Sequence, residues 1–178
     1  LIDWVSLIIA LTGVLTSGII AFLAYSLNRQ AERAQTQRSI DDSYTQLVAF
    51  RSQHPEVMYL SRNWTDECFD RIYAPPDDEN RPWILYYTYA ELCISYISNV
   101  LYARQSRMID KRQFEAQYKP LAKLLLTENN PLVASLLPQS KYLSAYIIKF
   151  RQELEEQGWD WSKMHQELAT GNVPLPPR

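Results

Sequence analysis

Few residues in this chain are suited to proton transfer or metal ligation. There are two histidines, His54 and His165, and one acid, Glu91, set inside a long apolar run. Neither histidine has a second ligand at helical spacing or a cysteine nearby, so the sequence defines no metal site. Glu91 is the sole charge within Trp83–Tyr102 (WILYYTYAELCISYISNVLY). A carboxyl held among apolar neighbours has its pKa raised and becomes fit to hold or pass a proton. The commoner arrangement puts such an acid on the solvated edge of its helix or beside an arginine. An enzyme built on this chain would use Glu91 with a histidine such as His165, with lipid as the substrate class. The chain has no glycine-rich phosphate loop, nucleophile elbow or kinase signature. The expectation is therefore no catalytic residue, no cofactor and no enzyme activity.

Two further groups of residues bear on chemistry. Arg104, Arg107, Lys111 and Arg112 form a basic cluster just after the apolar run. Cations near a helix C-terminus are stabilised by the helix dipole, which accounts for the first two. The alternative is a patch for phosphate or lipid. Cys68 and Cys93 are far apart and lack metal-ligand spacing. In a cytoplasmic domain they are expected to be reduced thiols.

The element that places everything else is Trp4–Leu27, WVSLIIALTGVLTSGIIAFLAYSL, which carries no charge; the next charge is Arg29. At ~1.5 Å per residue such a helix reaches ~36 Å, enough for a hydrocarbon core of ~30 Å. A cleaved signal peptide would have a basic start and a shorter apolar core. Trp4 and Tyr25 stand near the ends of the run, where amphipathic rings favour the headgroup region. Arg29, Arg33 and Arg38 follow it, while Asp3 precedes it. By the positive-inside rule the expected topology is N-out, C-in, with residues upstream of Leu1 able to change it. Ala10, Gly13, Ser17, Ala21 and Ala24 recur at steps of three and four and share one helix face. Small faces let helix backbones approach closely in lipid, so this face is the expected packing seam toward a second copy or another membrane subunit.

The 178 residues are 47% hydrophobic with net charge −2. Without the span about 150 residues remain, the size of one domain. A near-neutral domain argues against a nucleic-acid partner held by phosphate contacts. Scarce glycine and the lack of sustained alternation point to an all-α fold. No Gly or Pro occurs between Gly18 and Pro55, so the membrane helix is expected to continue as a stalk. The expected order is a transmembrane helix over 1–28, a juxtamembrane stalk over 29–39, a helical bundle domain over 40–170 and a Pro-rich tail over 171–178.

Within the bundle, Pro55 suits the first turn of a helix carrying Val57, Leu60, Trp64 and Cys68. The acidic, breaker-rich PPDDENRP is an exposed connection. Glu91, Asn99, two serines and five tyrosines make the second apolar run costly to insert in lipid. Thr88, Glu91, Ser95 and Ser98 lie on one narrow stripe, which marks a central bundle helix with a single polar edge. Asp110 and Gln113 have capping-box spacing, Pro120 kinks or restarts the next helix, and Asn130-Pro131 begins a short one. Ser140 caps a helix with Tyr142, Tyr146, Ile147, Phe150 and Leu154 on one face. Gly158 stops it, and a last helix runs near Trp161 to Ala169.

RSQHPEVMYLSRNW (Arg51–Trp64), YYTYAELCISYISNVLYARQSRMID and KYLSAYIIKF together resemble a loosely defined bacterial family. Its members have one N-terminal membrane helix and a cytoplasmic helical domain of unknown function. The resemblance spans Ile40 to about Arg151 and implies architecture only; no functional residues are carried over. The function expected from the whole is a membrane-anchored accessory, scaffolding or regulatory subunit of a membrane assembly. The other classes are a self-assembling effector or sensor gated by a ligand in the bundle, and a membrane-bound enzyme.

Overall fold

A computed structural model describes residues 4–65, 67–138 and 143–170, and in it the chain is all-α. The chain divides into two compact units, Leu1–Arg38 and Ser39–Arg178. Helix α1 covers Trp4–Gln53, as the lack of breakers after Gly18 requires.

In the first unit, large apolar side chains are exposed around most of the helix. Trp4, Ile8, Leu11, Val14, Leu15, Ile19, Ile20, Phe22, Leu23, Tyr25 and Leu27 are each more than half exposed. Among the described residues this is the one helix long and apolar enough to cross a membrane. Three of its hydroxyls bond within the helix: Thr12 Oγ1 donates to Ile8 O and Thr16 Oγ1 to Thr12 O, both at 2.8 Å, and Ser26 Oγ donates to Leu23 O at 2.9 Å. Internal satisfaction of this kind is what a segment surrounded by hydrocarbon needs.

The second unit is a helical bundle. Ile40 and Leu47, on the later part of α1, are buried in its core. The short helices α2 (Val57–Leu60) and α3 (Cys68–Ile72) flank a 3-10 turn at Ser61–Asn63. One helix through Val57 and Cys68 does not form. Trp64 turns extended, with φ −68° and ψ 130°, and sinks its ring against Tyr86 and Trp83 at centroid distances of 5.3 and 6.2 Å. Burial of a large aromatic ring outweighs continuing the helix here.

Helix α4 (Arg81–Gln105) is the centre of the bundle and packs on α2 and α3, on α6 (Lys119–Glu128) and on α8 (Ala145–Glu156). Tyr86, Tyr89, Ala90, Cys93, Tyr96, Ile97 and Val100 are buried, while Glu91 and Ser95 are exposed. The polar stripe is thus solvated at Glu91 and Ser95 only; Thr88 and Ser98 are half-buried, and Ser98 Oγ lies 3.0 Å from Ser144 Oγ at the start of α8. The end of α4 is a left-handed cap at Arg107, φ 56°; Arg107 N–H donates to Arg104 O and Met108 N–H to Ala103 O. That pairing is a Schellman closure with arginine where glycine is usual.

Asp110 caps α5 (Lys111–Gln113), its Oδ1 accepting from Gln113 N–H at 2.7 Å. Pro120 stands in the first turn of α6, which restarts at Lys119. A π turn at Phe114–Tyr118 leads into α6, with Lys119 N–H bonded to Phe114 O. The shifted ladder absorbs the amide that Pro120 lacks.

Helix α7 (Asn130–Leu136) starts one residue earlier than its proline suggests: Asn129 is the cap residue and Asn130 lies inside the helix. Ser144 caps α8, accepting from Ile147 N–H; Ser140 and Tyr142 lie outside the described residues. Gly158, φ 86°, closes α8, with Gly158 N–H on Glu155 O and Trp159 N–H on Leu154 O, both 2.9 Å. Helix α9 (Trp161–Thr170) packs on α6 and α7. The Pro-rich tail lies outside the described residues.

Candidate functional site

In the first unit, the expected packing residues Gly13, Ser17, Ala21 and Ala24 are all exposed, whereas the side chain of Ala10 lies outside the described residues. At ~100° per residue the five positions fill one sector of the helix, flanked by Ile20 and Val14. The exposed large side chains spread around the remaining circumference. A Cβ added at Gly13 or Gly18 meets nothing within 4 Å. The sector is therefore a shallow, backbone-deep strip on an otherwise bulky apolar helix. Trp4 and Tyr25 are exposed at 68% and 62%, Arg33 is exposed, and Arg29 Nη1 reaches Tyr25 Oη at 3.5 Å.

In the second unit, chemistry gathers at a cleft of about 340 Å³. Its walls come from five elements. The last turn of α1 supplies Arg51, α2 supplies Met58 and Tyr59, and the 3-10 turn supplies Ser61 and Arg62. The end of α6 supplies Leu124 and Glu128, and α9 supplies His165, Leu168 and Ala169.

Glu128 is the deepest charge. Its side chain is 13% exposed, and Oε2 accepts from the buried Tyr89 hydroxyl at 2.9 Å. Arg51 Nη2 stands 3.9 Å from Oε1, too far for a hydrogen bond. The carboxyl also terminates α6, where the helix dipole disfavours an acid. Burial raises its pKa above the ordinary carboxylate range, partly opposed by Arg51 and then by the Tyr89 bond. Burial likewise pushes the Tyr89 phenol up, so that it stays a donor.

His165 Nδ1 lies 2.8 Å from Thr127 O. A carbonyl only accepts, so Nδ1 carries the proton and, in the neutral ring, Nε2 is left as an acceptor. Thr127 O is open to this bond because the residue four positions on is Pro131, which has no N–H. Arg51 Nε contacts Met58 Sδ at 3.0 Å, and the Arg62 guanidinium lies 5.5 Å from the Tyr59 ring centroid.

The other expected site residues sit elsewhere. Glu91 is exposed on α4 and does not line this cleft. His54 Nδ1 is 3.5 Å from Glu56 Oε1 and its ring tilts against Phe50. The basic cluster divides. Arg104 lies over the Phe114 ring at 4.4 Å and pairs with Glu153 at 3.6 Å, while Arg107, Lys111 and Arg112 are exposed. Cys68 and Cys93 are buried free thiols. No group of three or more metal-ligating side chains occurs among the described residues.

Sequence reasoning missed Arg51, Arg62, Tyr89 and Glu128 as neighbours. One signal was available for Glu128: an acid closing the run LLLTE directly before Asn-Asn-Pro sits at the wrong pole of its helix and calls for a partner. The chain was compared with protein-family models, with curated proteins and with solved structures, and none matches. Residue roles therefore rest on geometry.

Proposed function

We propose that this chain is a single-pass membrane-anchored, non-enzymatic accessory, scaffolding or regulatory subunit of a bacterial membrane assembly. In this reading Trp4–Leu27 spans the bilayer, with the N-terminus outside and the helical domain in the cytoplasm. The observation that carries it is the small-residue sector on a helix whose other faces are bulky and exposed. A lone helix gains nothing from such a strip, whereas two helices packed on it approach closely enough for van der Waals attraction to hold them in lipid. The partner is a second copy or another membrane subunit.

The test exploits the empty space at Gly13. A Cβ at Gly13 meets nothing within 4 Å, and leucine is a strong helix former, so Gly13→Leu is expected to leave the isolated helix intact. In native membranes solubilised in mild detergent, the wild-type assembly is expected to exceed the monomer and Gly13→Leu to reduce it. A wild-type monomer without a stoichiometric companion contradicts the proposal.

A second reading, a self-assembling effector or sensor gated by a ligand in the bundle, is favoured by the cleft around Glu128. Of the two residues named for an enzyme, His165 lines that cleft and Glu91 does not.

A further inference from the structure

The cleft has a definite chemical polarity. Its charged and titratable lining groups are Arg51, Tyr59, Arg62, Glu128 and His165. Two guanidiniums against one carboxylate leave a net positive site, which favours an anion, and an arginine fork matches a carboxylate or phosphate. Acceptors lie in the same walls. Among the described residues no hydrogen bond reaches Glu128 Oε1, with Arg51 Nη2 3.9 Å away, and His165, with Nδ1 on Thr127 O, leaves Nε2 as the acceptor of an uncharged ring. A buried carboxylate with one hydrogen bond is costly and is relieved by a donor. Met58, Leu124, Leu168 and Ala169 make the apolar part of the lining, and Tyr59 and Ser61 complete it. The volume of about 340 Å³ falls in the range of small-molecule sites, ~300–1,000 Å³.

We infer that this cleft binds a small amphiphilic zwitterion. Its ammonium is held by Glu128 Oε1 and His165 Nε2, its anionic group by Arg51 and Arg62, and its apolar tail by Met58, Leu124 and Leu168. Two sources carry this chemistry, a free amino acid with an apolar side chain and an ethanolamine phospholipid headgroup with its chain. The inference supplies the ligand class for the sensor reading above. It is independent of helix association, so an assembly that forms normally but binds no zwitterion overturns this inference alone.

The test is calorimetric titration of the full chain in mild detergent. L-leucine represents the amino-acid source and lysophosphatidylethanolamine the lipid source. Saturable binding of either supports the inference, and the tighter one identifies the source. Each half-ligand, leucinamide without the carboxylate and 4-methylpentanoate without the ammonium, is expected to bind at least tenfold more weakly than leucine if leucine binds. Glu128→Gln keeps the acceptor for Tyr89 and removes the counter-charge for the ammonium. Arg62→Gln alters an exposed side chain that the fold does not need. Both are expected to weaken binding at least tenfold. Failure of both leucine and the lysolipid to bind at millimolar concentration overturns the inference. So does binding that survives both substitutions or does not require both charges.

Discussion

Glu128 shows how one residue can be costly to the fold and useful to a cleft. Its pKa is raised chiefly by burial, so it binds a proton more readily folded than unfolded. Its contribution to stability is therefore fully present below the unfolded carboxylate pKa and is lost as pH rises through the higher folded one. Glu128→Gln removes that loss. The variant is expected to have a higher urea midpoint than wild type at about pH 7, with the gap closing by about pH 4; no gap at neutral pH would show that Arg51 and Tyr89 already compensate the charge. Arg151 is a second buried polar group. Its Nη1 and Nη2 donate to Asn130 Oδ1 at 3.1 and 3.2 Å, and the guanidinium lies 4.3 Å from the Trp161 ring centroid. Asn130→Ala removes both hydrogen bonds, leaving the cation only Trp161 and the Glu155 carboxylate at 3.8 Å, and is expected to cost about 2–3 kcal/mol in denaturant unfolding. Arg151→Met, which removes the charge and keeps the bulk, is expected to cost less. Neither partnership was legible in the sequence: Asn130 reads as a helix cap beside a proline, and nothing local reveals that α8 brings Arg151 to it.

At the scale of elements, much was legible because local rules and tertiary packing agree. The unbroken α1, the Asp110 cap and the Gly158 stop each follow from residues within one or two turns. Where they diverged, a distant contact won. Trp64 leaves the helical path to pack on Tyr86 and Trp83, and the π turn before α6 accommodates Pro120 while burying Phe114 and Tyr118. Arg107 illustrates a local conflict that persists: an L-residue held at φ 56° in the cap of α4. Left-handed backbone costs a non-glycine residue ~1 kcal/mol or more. Arg107→Gly is expected to stabilise the domain by about 0.5–1 kcal/mol, after the added flexibility of the unfolded chain is counted. A lower thermal midpoint in the variant would mean that the guanidinium's charge at the helix end outweighs the backbone strain.

At the scale of the whole molecule, the all-α class and the long apolar helix were readable from composition and periodicity. The cleft was not, because its lining comes from residues between Arg51 and Ala169 on five elements. The two units are consistent with one proposed arrangement, an anchor and a cytoplasmic domain. Arg29, Arg33 and Arg38 after the span support that topology. A reporter fused to the C-terminus is expected to be active only in its cytoplasmic form, and an extracytoplasmic signal would reverse the assignment. The central claim is that the small-residue sector joins this helix to another. Its most direct test is the assembly size of wild type, Gly13→Leu and Leu15→Ala in native membranes extracted with mild detergent, measured by light scattering of the purified particles. The account predicts a wild-type particle larger than the monomer, preserved in Leu15→Ala on the opposite face and reduced to the monomer in Gly13→Leu. A monomeric wild type, or a particle unchanged by Gly13→Leu, would contradict it.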